Sequence, residues 1–234
     1  GYYQWGVYYR KDLFDNLGLN VPKNWEEFKW VCAMLKKNDI TPITIGTKFL
    51  WTAGGWFDYL NLRINGYQFH MDLTAGKVSY EDPRLDATFA AWRELIDPGY
   101  FLEDHASFSW QDAQAPQINA EAAMYLIGNF YVPTLEEAGV KDKMDFFQFP
   151  TIVEGVGVAE DAPTDTMHIP SGAKNVEDAK KFLAFMSNKE AATNWAKMGG
   201  MLSPNKYADK PTNRFSVMGA EMLAAADDIA QFWD

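Results

Sequence analysis

Apolar positions along the 234-residue chain recur at two different spacings, and segments with the two spacings alternate. In "NWEEFKWVCAMLKKND" the apolar residues recur every three or four positions, which predicts an amphipathic helix with Asn24 as its N-cap. Short runs rich in aromatic and β-branched residues predict buried strands; they are "GYYQWGVYYR", "ITPITIG", "AAMYLIG" and "DFFQFPTI". Because helices alternate with strands, we expect an α/β fold.

Several further helices are predicted from the same pattern. One runs through "FDYLNLRING" and should stop at Asn65 and Gly66, and another should start at Asp82 and Pro83. The apolar face of this second helix is expected to contain Leu85, Phe89, Trp92 and Ile96. Later helices are predicted in "NVEDAKKFLAFMSN", "EAATNWAKMGG" and "VMGAEMLAAADDIAQFW", after a Gly-rich connection, "VEGVGVAEDAPTD".

Composition and charge exclude several classes of function. The formal net charge of −11 disfavours nucleic acid as a partner, because phosphate binding needs clustered Lys and Arg. The sequence has no run of 18 apolar residues, so no transmembrane helix is predicted. The single cysteine, Cys32, excludes an internal disulfide and is expected to be a buried, unreactive thiol.

Aromatic residues are unusually frequent, with 9 Trp, 11 Tyr and 16 Phe. Most of them are expected in the core, but the excess leaves some for a binding surface. The stretch "FLWTAGGWFDYL" places Trp51 and Trp56 on either side of a Gly-Gly step. From the pattern alone each of these two rings could pack in the core or be offered to a ligand.

The motifs of common enzymes are absent from the sequence. There is no G-x-S-x-G, no P-loop and no H-E-x-x-H, and the three histidines are far apart. We therefore expect neither a cofactor nor a metal site. Carboxylates suitable for a glycosidase are present only as nominal candidates: Asp58, Glu103, Asp104 and Asp165.

Six segments resemble a known family in their order along the chain. They are "YYRKDLFDNLGLNVPKNWEEF", "ITPITIG", "GWFDYLNLRINGY", "EAAMYLIGNF", "FFQFPTI" and "HIPSGAKNVEDAKKFLAFM". The ordered set resembles the bacterial family 1 extracellular solute-binding proteins, the maltose-binding-protein-like sugar receptors of ABC importers. The proline in "QAPQINAEAAM" departs from the family pattern and makes a regular helix there doubtful.

The resemblance implies a periplasmic binding protein-like fold of type II, in which crossing strands join two α/β lobes. It further implies that this chain is a fragment covering most of the C-terminal lobe and part of the N-terminal lobe. The expected divisions are residues 1–8 as a crossing strand, 9–160 as C-terminal lobe, 161–215 as crossing and N-terminal lobe, and 216–234 as the return to the C-terminal lobe.

The resemblance also implies where a sugar would bind. Sugar hydroxyls need polar partners, while the C–H faces of the ring pack on aromatic side chains in a cleft. The residues expected to contact ligand are Trp5, Lys48, Trp51, Trp56, Asn129, Phe130, Asp165, Trp233 and Asp234. For Trp56 and Phe130 core packing is the alternative, and for Asp165 it is turn capping. Lys48 and Arg63 are the basic residues that could favour an acidic sugar.

The function implied by the resemblance is capture of a sugar or oligosaccharide and its delivery to the permease subunits of an ABC importer. The protein would be a monomer, periplasmic or extracellular, with a lipid anchor as one option. Two alternatives remain open: a carbohydrate-active enzyme, which would release products, and a sugar-sensing receptor on the same fold, which only a partner experiment would distinguish.

Overall fold

The computed structural model describes residues 1–232 and has a mixed α/β architecture, as the alternating pattern predicted. Its strands are β1 (Trp5–Arg10), β2 (Thr41–Ile43), β3 (Ala122–Gly128), β4 (Met144–Phe147), β5 (Ala159–Asp161) and β6 (Asp228–Ala230). Its α-helices are α1 (Lys11–Leu17), α2 (Trp25–Lys37), α3 (Trp51–Thr74), α4 (Leu85–Ile96), α5 (Gln114–Ile118), α6 (Val132–Glu137), α7 (Val176–Met186), α8 (Lys189–Gly199) and α9 (Arg214–Ala225).

The main sheet has the strand order β2-β3-β1-β4. The inner strand β1 runs antiparallel to both β3 and β4, so that Tyr8 lies opposite Tyr125 on one side and Phe146 on the other. All seven residues of β3 are buried, which explains why its sequence is continuously apolar rather than alternating. A second sheet consists of β5 and β6, which pair in parallel.

Helix α2 has the predicted apolar stripe, and this stripe is packed in the main core. Trp25, Phe28, Cys32 and Leu35 are all buried. Burial raises the pKa of the Cys32 thiol well above its usual value, as expected for an unreactive core cysteine. The helix therefore contributes to the core along its whole length.

Helix α3 begins at Trp51, six residues before the stretch "FDYLNLRING" in which the sequence pattern predicted a helix. The predicted stop is present as a break, because Gly66 has φ 80° and ψ 173°, a conformation that glycine adopts without steric cost. A further helical segment after Gly66 extends to Thr74, and its residue His70 is fully buried. No helix in the described part of the chain has the length and hydrophobicity needed to cross a membrane.

The buried face of α4 differs from the predicted one. Leu85, Thr88, Ala91 and Leu95 are buried, whereas Phe89 and Ile96 are 47% and 50% exposed. The reason is that Thr88 and Ala91, which are small, allow α4 to pack closely on α3, and a stripe through Leu85 and Leu95 continues that face. The spacing of the larger apolar side chains predicts a different face, through Phe89, Trp92 and Ile96.

The last predicted helix was too long. Helix α9 ends at Ala225, and Asp228–Ala230 forms β6 because β5 offers it a parallel partner at Ala159–Asp161. The Gly-rich connection "VEGVGVAEDAPTD" therefore contains a strand, β5, that short-range patterning does not reveal.

A buried ion pair fixes the second sheet to α3. The Arg63 guanidinium donates to the Glu160 carboxylate and to the Ala159 carbonyl, and its Nε donates to the Phe149 carbonyl at 3.1 Å. The Tyr59 hydroxyl donates to the other oxygen of Glu160 at 3.0 Å. Because both charged groups are hydrogen-bonded, the pair can be buried, and it places β5 and β6 beside the middle of α3.

We predict that Asn24→Ala lowers the free energy of unfolding by about 1 kcal/mol, the usual cost of losing an N-cap. The Asn24 Oδ1 accepts the Glu27 N–H at 2.9 Å, and the Glu27 carboxylate accepts the Lys23 N–H at 2.8 Å in return. Urea denaturation of the two proteins measures the difference. Asn24→Ser keeps an acceptor and should lose little, so equal losses in the two variants would contradict the capping role.

Candidate ligand-binding groove

A groove of about 610 Å³ lies where the start of β1, the start of α3 and the segment after β5 meet. Its lining residues come from widely separated parts of the chain, so the groove forms only in the folded protein. They are Tyr3, Trp5, Trp51, Trp110, Phe130, Pro163, Thr164, Asp165, Thr166, Gln231 and Phe232. Six of these side chains are aromatic, and the groove therefore presents rings rather than charges.

Phe130 lies at the centre of an aromatic wall that it forms with Trp5, Trp51 and Trp110, and Tyr3 packs against it. Its ring centre is 5.1 Å from that of Tyr3, 5.2 Å from Trp110 and 6.1 Å from Trp51. The Tyr3 and Trp110 rings meet Phe130 at nearly right angles, 88° and 85°, the geometry in which a positive ring edge faces a negative ring face. The rings support one another, so the wall is a packed unit rather than a set of independent side chains.

Trp5 forms the deepest part of the wall and is only 2% exposed. Its ring centre is 5.9 Å from that of Trp51 and 5.3 Å from that of Phe232. A Cβ atom built on Gly55 would lie 2.7 Å from the Trp5 ring, closer than any real side chain tolerates. Gly55 is therefore what lets α3 approach the Trp5 ring.

The polar, non-aromatic residues that line the groove are Thr164, Asp165, Thr166 and Gln231. Asp165 is exposed, and its carboxylate accepts a hydrogen bond from the Tyr3 hydroxyl. Burial, together with this carboxylate, raises the pKa of Tyr3 above its usual value of 10.0, so the hydroxyl remains a donor at neutral pH. Asp165 is the one formally charged side chain among the described residues that line the groove, and it retains capacity to accept further hydrogen bonds.

The structure brings together four of the residues that were expected to contact ligand. Trp5, Trp51, Phe130 and Asp165 all line the groove. Trp233 and Asp234 lie outside the described residues. The resemblance therefore selected residues from four distant parts of the sequence that share one surface.

Three other expected contact residues lie elsewhere. Trp56 is fully buried, with its ring centre 5.6 Å from that of Phe149, which is the core position that the sequence left open for it. Asn129 is also fully buried, and its backbone N–H donates to the Gln4 carbonyl at 2.8 Å. Lys48 is exposed but does not line the groove. None of these three side chains lines the groove.

Sequence reasoning missed several lining residues, of which Trp110 is the clearest. It lies in the polar stretch "SFSWQDAQ", where a large indole has no apolar stripe to join. An isolated Trp between polar residues was a usable signal, because such a ring is either exposed or held by residues distant in sequence. Tyr3 and Phe232 carried no such signal, since both belong to segments that already contain other aromatic residues.

Comparison with known proteins agrees with the arrangement of these elements. The family model described as bacterial extracellular solute-binding protein matches residues 1–193. The chain belongs to this family. Among its solute-binding relatives, the multiple sugar-binding protein of Streptococcus mutans is 24% identical over 200 residues, which are 83% of this chain and 48% of that protein. An ABC transporter extracellular-binding protein of Pyrococcus horikoshii is 28% identical over 204 residues, 86% of this chain and 45% of its own length.

Solved structures of solute-binding proteins share the fold. The bacterial solute receptor AcbH, described as having an exclusive preference for β-D-galactopyranose, superposes with a TM-score of 0.87 at 31% identity, covering all of this chain and 60% of its own. RafE in complex with raffinose superposes with a TM-score of 0.80 at 18% identity, covering 99% and 62%. The periplasmic binding protein-like fold of type II expected from the sequence is thus confirmed. The chain spans less than half the length of the two sequence relatives.

We predict that Gly55→Ala weakens the folded state although alanine is normally favoured over glycine in a helix by about 1 kcal/mol. The added methyl group would overlap the Trp5 ring, which has no space to retreat because it is nearly fully buried. Tryptophan emission should shift to longer wavelength and the urea midpoint should fall. Gly172→Ala is the matched control, since a Cβ there meets no atom within 4 Å; equal behaviour of the two variants would contradict the close contact.

Proposed function

We propose that the groove binds a carbohydrate, and that the whole protein captures this sugar outside the cytoplasmic membrane and delivers it to an ABC importer. The observation that carries the proposal is the aromatic wall of Trp5, Trp51, Trp110 and Phe130 beside the carboxylate of Asp165. Family membership and the names of the relatives, a multiple sugar-binding protein and a galactopyranose receptor, support it.

The chemistry of the groove suits the two kinds of surface on a sugar. The C–H faces of a pyranose are apolar and pack against the electron-rich faces of Trp and Phe. The hydroxyl groups at the ring edge need hydrogen-bond acceptors and donors, which the lining residues Thr164, Asp165, Thr166 and Gln231 supply. A ligand that is apolar on its faces and polar at its rim therefore fits this surface better than a uniformly polar one.

The charges favour a neutral sugar over an acidic one. Of the two basic residues that could have attracted a carboxylate, Arg63 is buried and paired with Glu160. Lys48 lies outside the groove. The remaining charged lining residue is Asp165, which would repel an anionic ligand, and the formal net charge of −11 adds to that repulsion.

The remaining parts of the proposal concern the whole protein. We propose two lobes that close over the sugar, with the divisions at residues 8, 160 and 215 given above, a monomeric state, and permease subunits as the protein partner. Hinge closure of this kind is a known mode of conformational change in periplasmic binding proteins. The protein would work in the periplasm or at the cell surface, with or without a lipid anchor, and would release its ligand unchanged rather than as a reaction product.

We predict that Trp110→Ala lowers sugar affinity at least tenfold, which corresponds to about 1.4 kcal/mol. The Trp110 ring is part of the packed wall, so its removal eliminates a stacking surface and also loosens Phe130. Isothermal titration calorimetry of the complete protein with neutral mono-, di- and trisaccharides gives the affinity. Trp30→Ala is the control, because Trp30 is 54% exposed on α2 and does not line the groove.

The same titration distinguishes a receptor from an enzyme. After each experiment the sugar is recovered and analysed for cleavage products. Saturable binding with intact sugar supports the receptor, whereas products, or no response to any sugar in the complete protein, would contradict it.

A further inference from the structure

We propose that His70 is a positioning residue for the groove: its ring holds the Gln231 carbonyl and thereby sets Gln231 and Phe232 against the aromatic wall. The inference deepens the proposed sugar-binding function and rests on it for its effect on affinity. His70 does not line the groove itself. Its effect on the groove is indirect, through the polypeptide segment that follows β6.

The hydrogen bond defines the state of the His70 ring. Nε2 of His70 lies 2.8 Å from the Gln231 carbonyl oxygen, which can only accept, so Nε2 carries the hydrogen. Burial lowers the pKa of His70 from 6.5, although the Gln231 carbonyl acts in the opposite direction, and this favours the neutral ring. The buried Asp58 carboxylate lies 3.9 Å from Nδ1, beyond hydrogen-bond distance. A neutral imidazole has one N–H, and here it is used on Gln231. The other nitrogen, Nδ1, is then an acceptor and lies 3.4 Å from the Asn61 amide nitrogen.

The position of His70 is itself well fixed. The side chain is fully buried in the part of α3 that follows the break at Gly66. Asn61 bridges it to Asn65, whose amide donates to the Asn61 Oδ1 at 2.9 Å and to the Thr88 hydroxyl at 3.2 Å. A side chain held on both nitrogens in this way can transmit the position of α3 to the segment it binds.

The strand pairing of β6 is short and ends before Gln231, so a further contact is required to hold the segment that follows it. The paired part of β6 is three residues long and ends at Ala230, opposite Asp161. Gln231 follows immediately and lines the groove, and Phe232 places its ring 5.3 Å from that of Trp5. The His70 hydrogen bond is thus made at the first residue beyond the strand, one residue before the ring that contacts the deepest part of the wall.

The test compares three substitutions in the complete protein. His70→Gln puts an amide N–H near the place of Nε2 and should keep the hydrogen bond. His70→Asn puts its amide near the place of Nδ1, out of reach of Gln231, and His70→Leu fills the space without any donor. We expect sugar affinity, measured by calorimetry, to stay within about threefold of the original for His70→Gln. It should fall at least fivefold for whichever of the other two folds cooperatively.

A second readout does not require sugar. If Phe232 moves away from Trp5, the indole becomes more exposed and tryptophan emission shifts to longer wavelength in His70→Asn and His70→Leu but not in His70→Gln. Thr44→Val is the control, since it also removes a buried hydrogen bond, the one from the Thr44 hydroxyl to the Ala113 carbonyl at 2.7 Å, but lies outside the network that holds His70. It should lower stability and leave emission and affinity unchanged.

Three results would overturn the inference: unchanged emission and affinity in His70→Asn and His70→Leu, a loss in His70→Gln equal to theirs, or the same loss in Thr44→Val. Failure of this inference and failure of the proposed sugar-binding function can be told apart. If the original protein binds no sugar, the proposed function fails, while the emission shifts still decide whether His70 positions Phe232.

Discussion

The indole of Trp5 has to fit between three chain segments that are remote from it in sequence, and the shape of the groove depends on that fit. The ring abuts the backbone of α3 at Gly55, the ring of Phe130 after β3 and the ring of Phe232 after β6. It is also the first residue of β1, the strand that lies inside the main sheet. The contact therefore couples the register of the sheet to the position of the binding surface.

Buried polar groups also connect the groove to the rest of the fold, because they join β5, β6 and the segment after β6 to α3. A two-stranded sheet as short as β5 and β6 has little stability by itself, so its position must come from its contacts with α3. The Arg63–Glu160 pair supplies one such contact, and His70 supplies the next at Gln231. A buried ion pair adds little net stability because desolvation offsets its attraction, but it tolerates few alternative arrangements. Because moving β5 away from α3 would leave both charged groups buried and unpaired, the pair ties these strands to that helix.

Helices and strands that are determined by neighbouring residues could be predicted from the sequence. Those that depend on pairing with a distant segment could not. Helix α2, with its Asn24 cap, and the continuously apolar strand β3 follow from local pattern, and both are confirmed. Strand β6 was assigned to a helix because its partner β5 lies about 70 residues away along the chain, and no local pattern encodes that pairing.

The candidate site divides in the same way. Trp51 and Phe130 could be proposed from the family resemblance, and the structure places both in the groove. Trp110 could not, because its place in the wall is set by contacts with residues 20 and 59 positions away. Trp56 shows the converse: a Trp five residues from Trp51 in the same helix faces the core, since the side chains of a helix point in different directions at that spacing.

The central claim is that the aromatic wall contacts sugar, and indole N–H signals test it most directly. In a ¹⁵N-labelled sample of the complete protein, each of the nine tryptophans of this chain gives an indole signal that single Trp→Phe substitutions can assign. The account predicts that a bound neutral sugar shifts the signals of Trp5, Trp51 and Trp110 and leaves that of the exposed Trp30 in place. A saturating sugar that leaves all three wall signals unchanged would contradict the account.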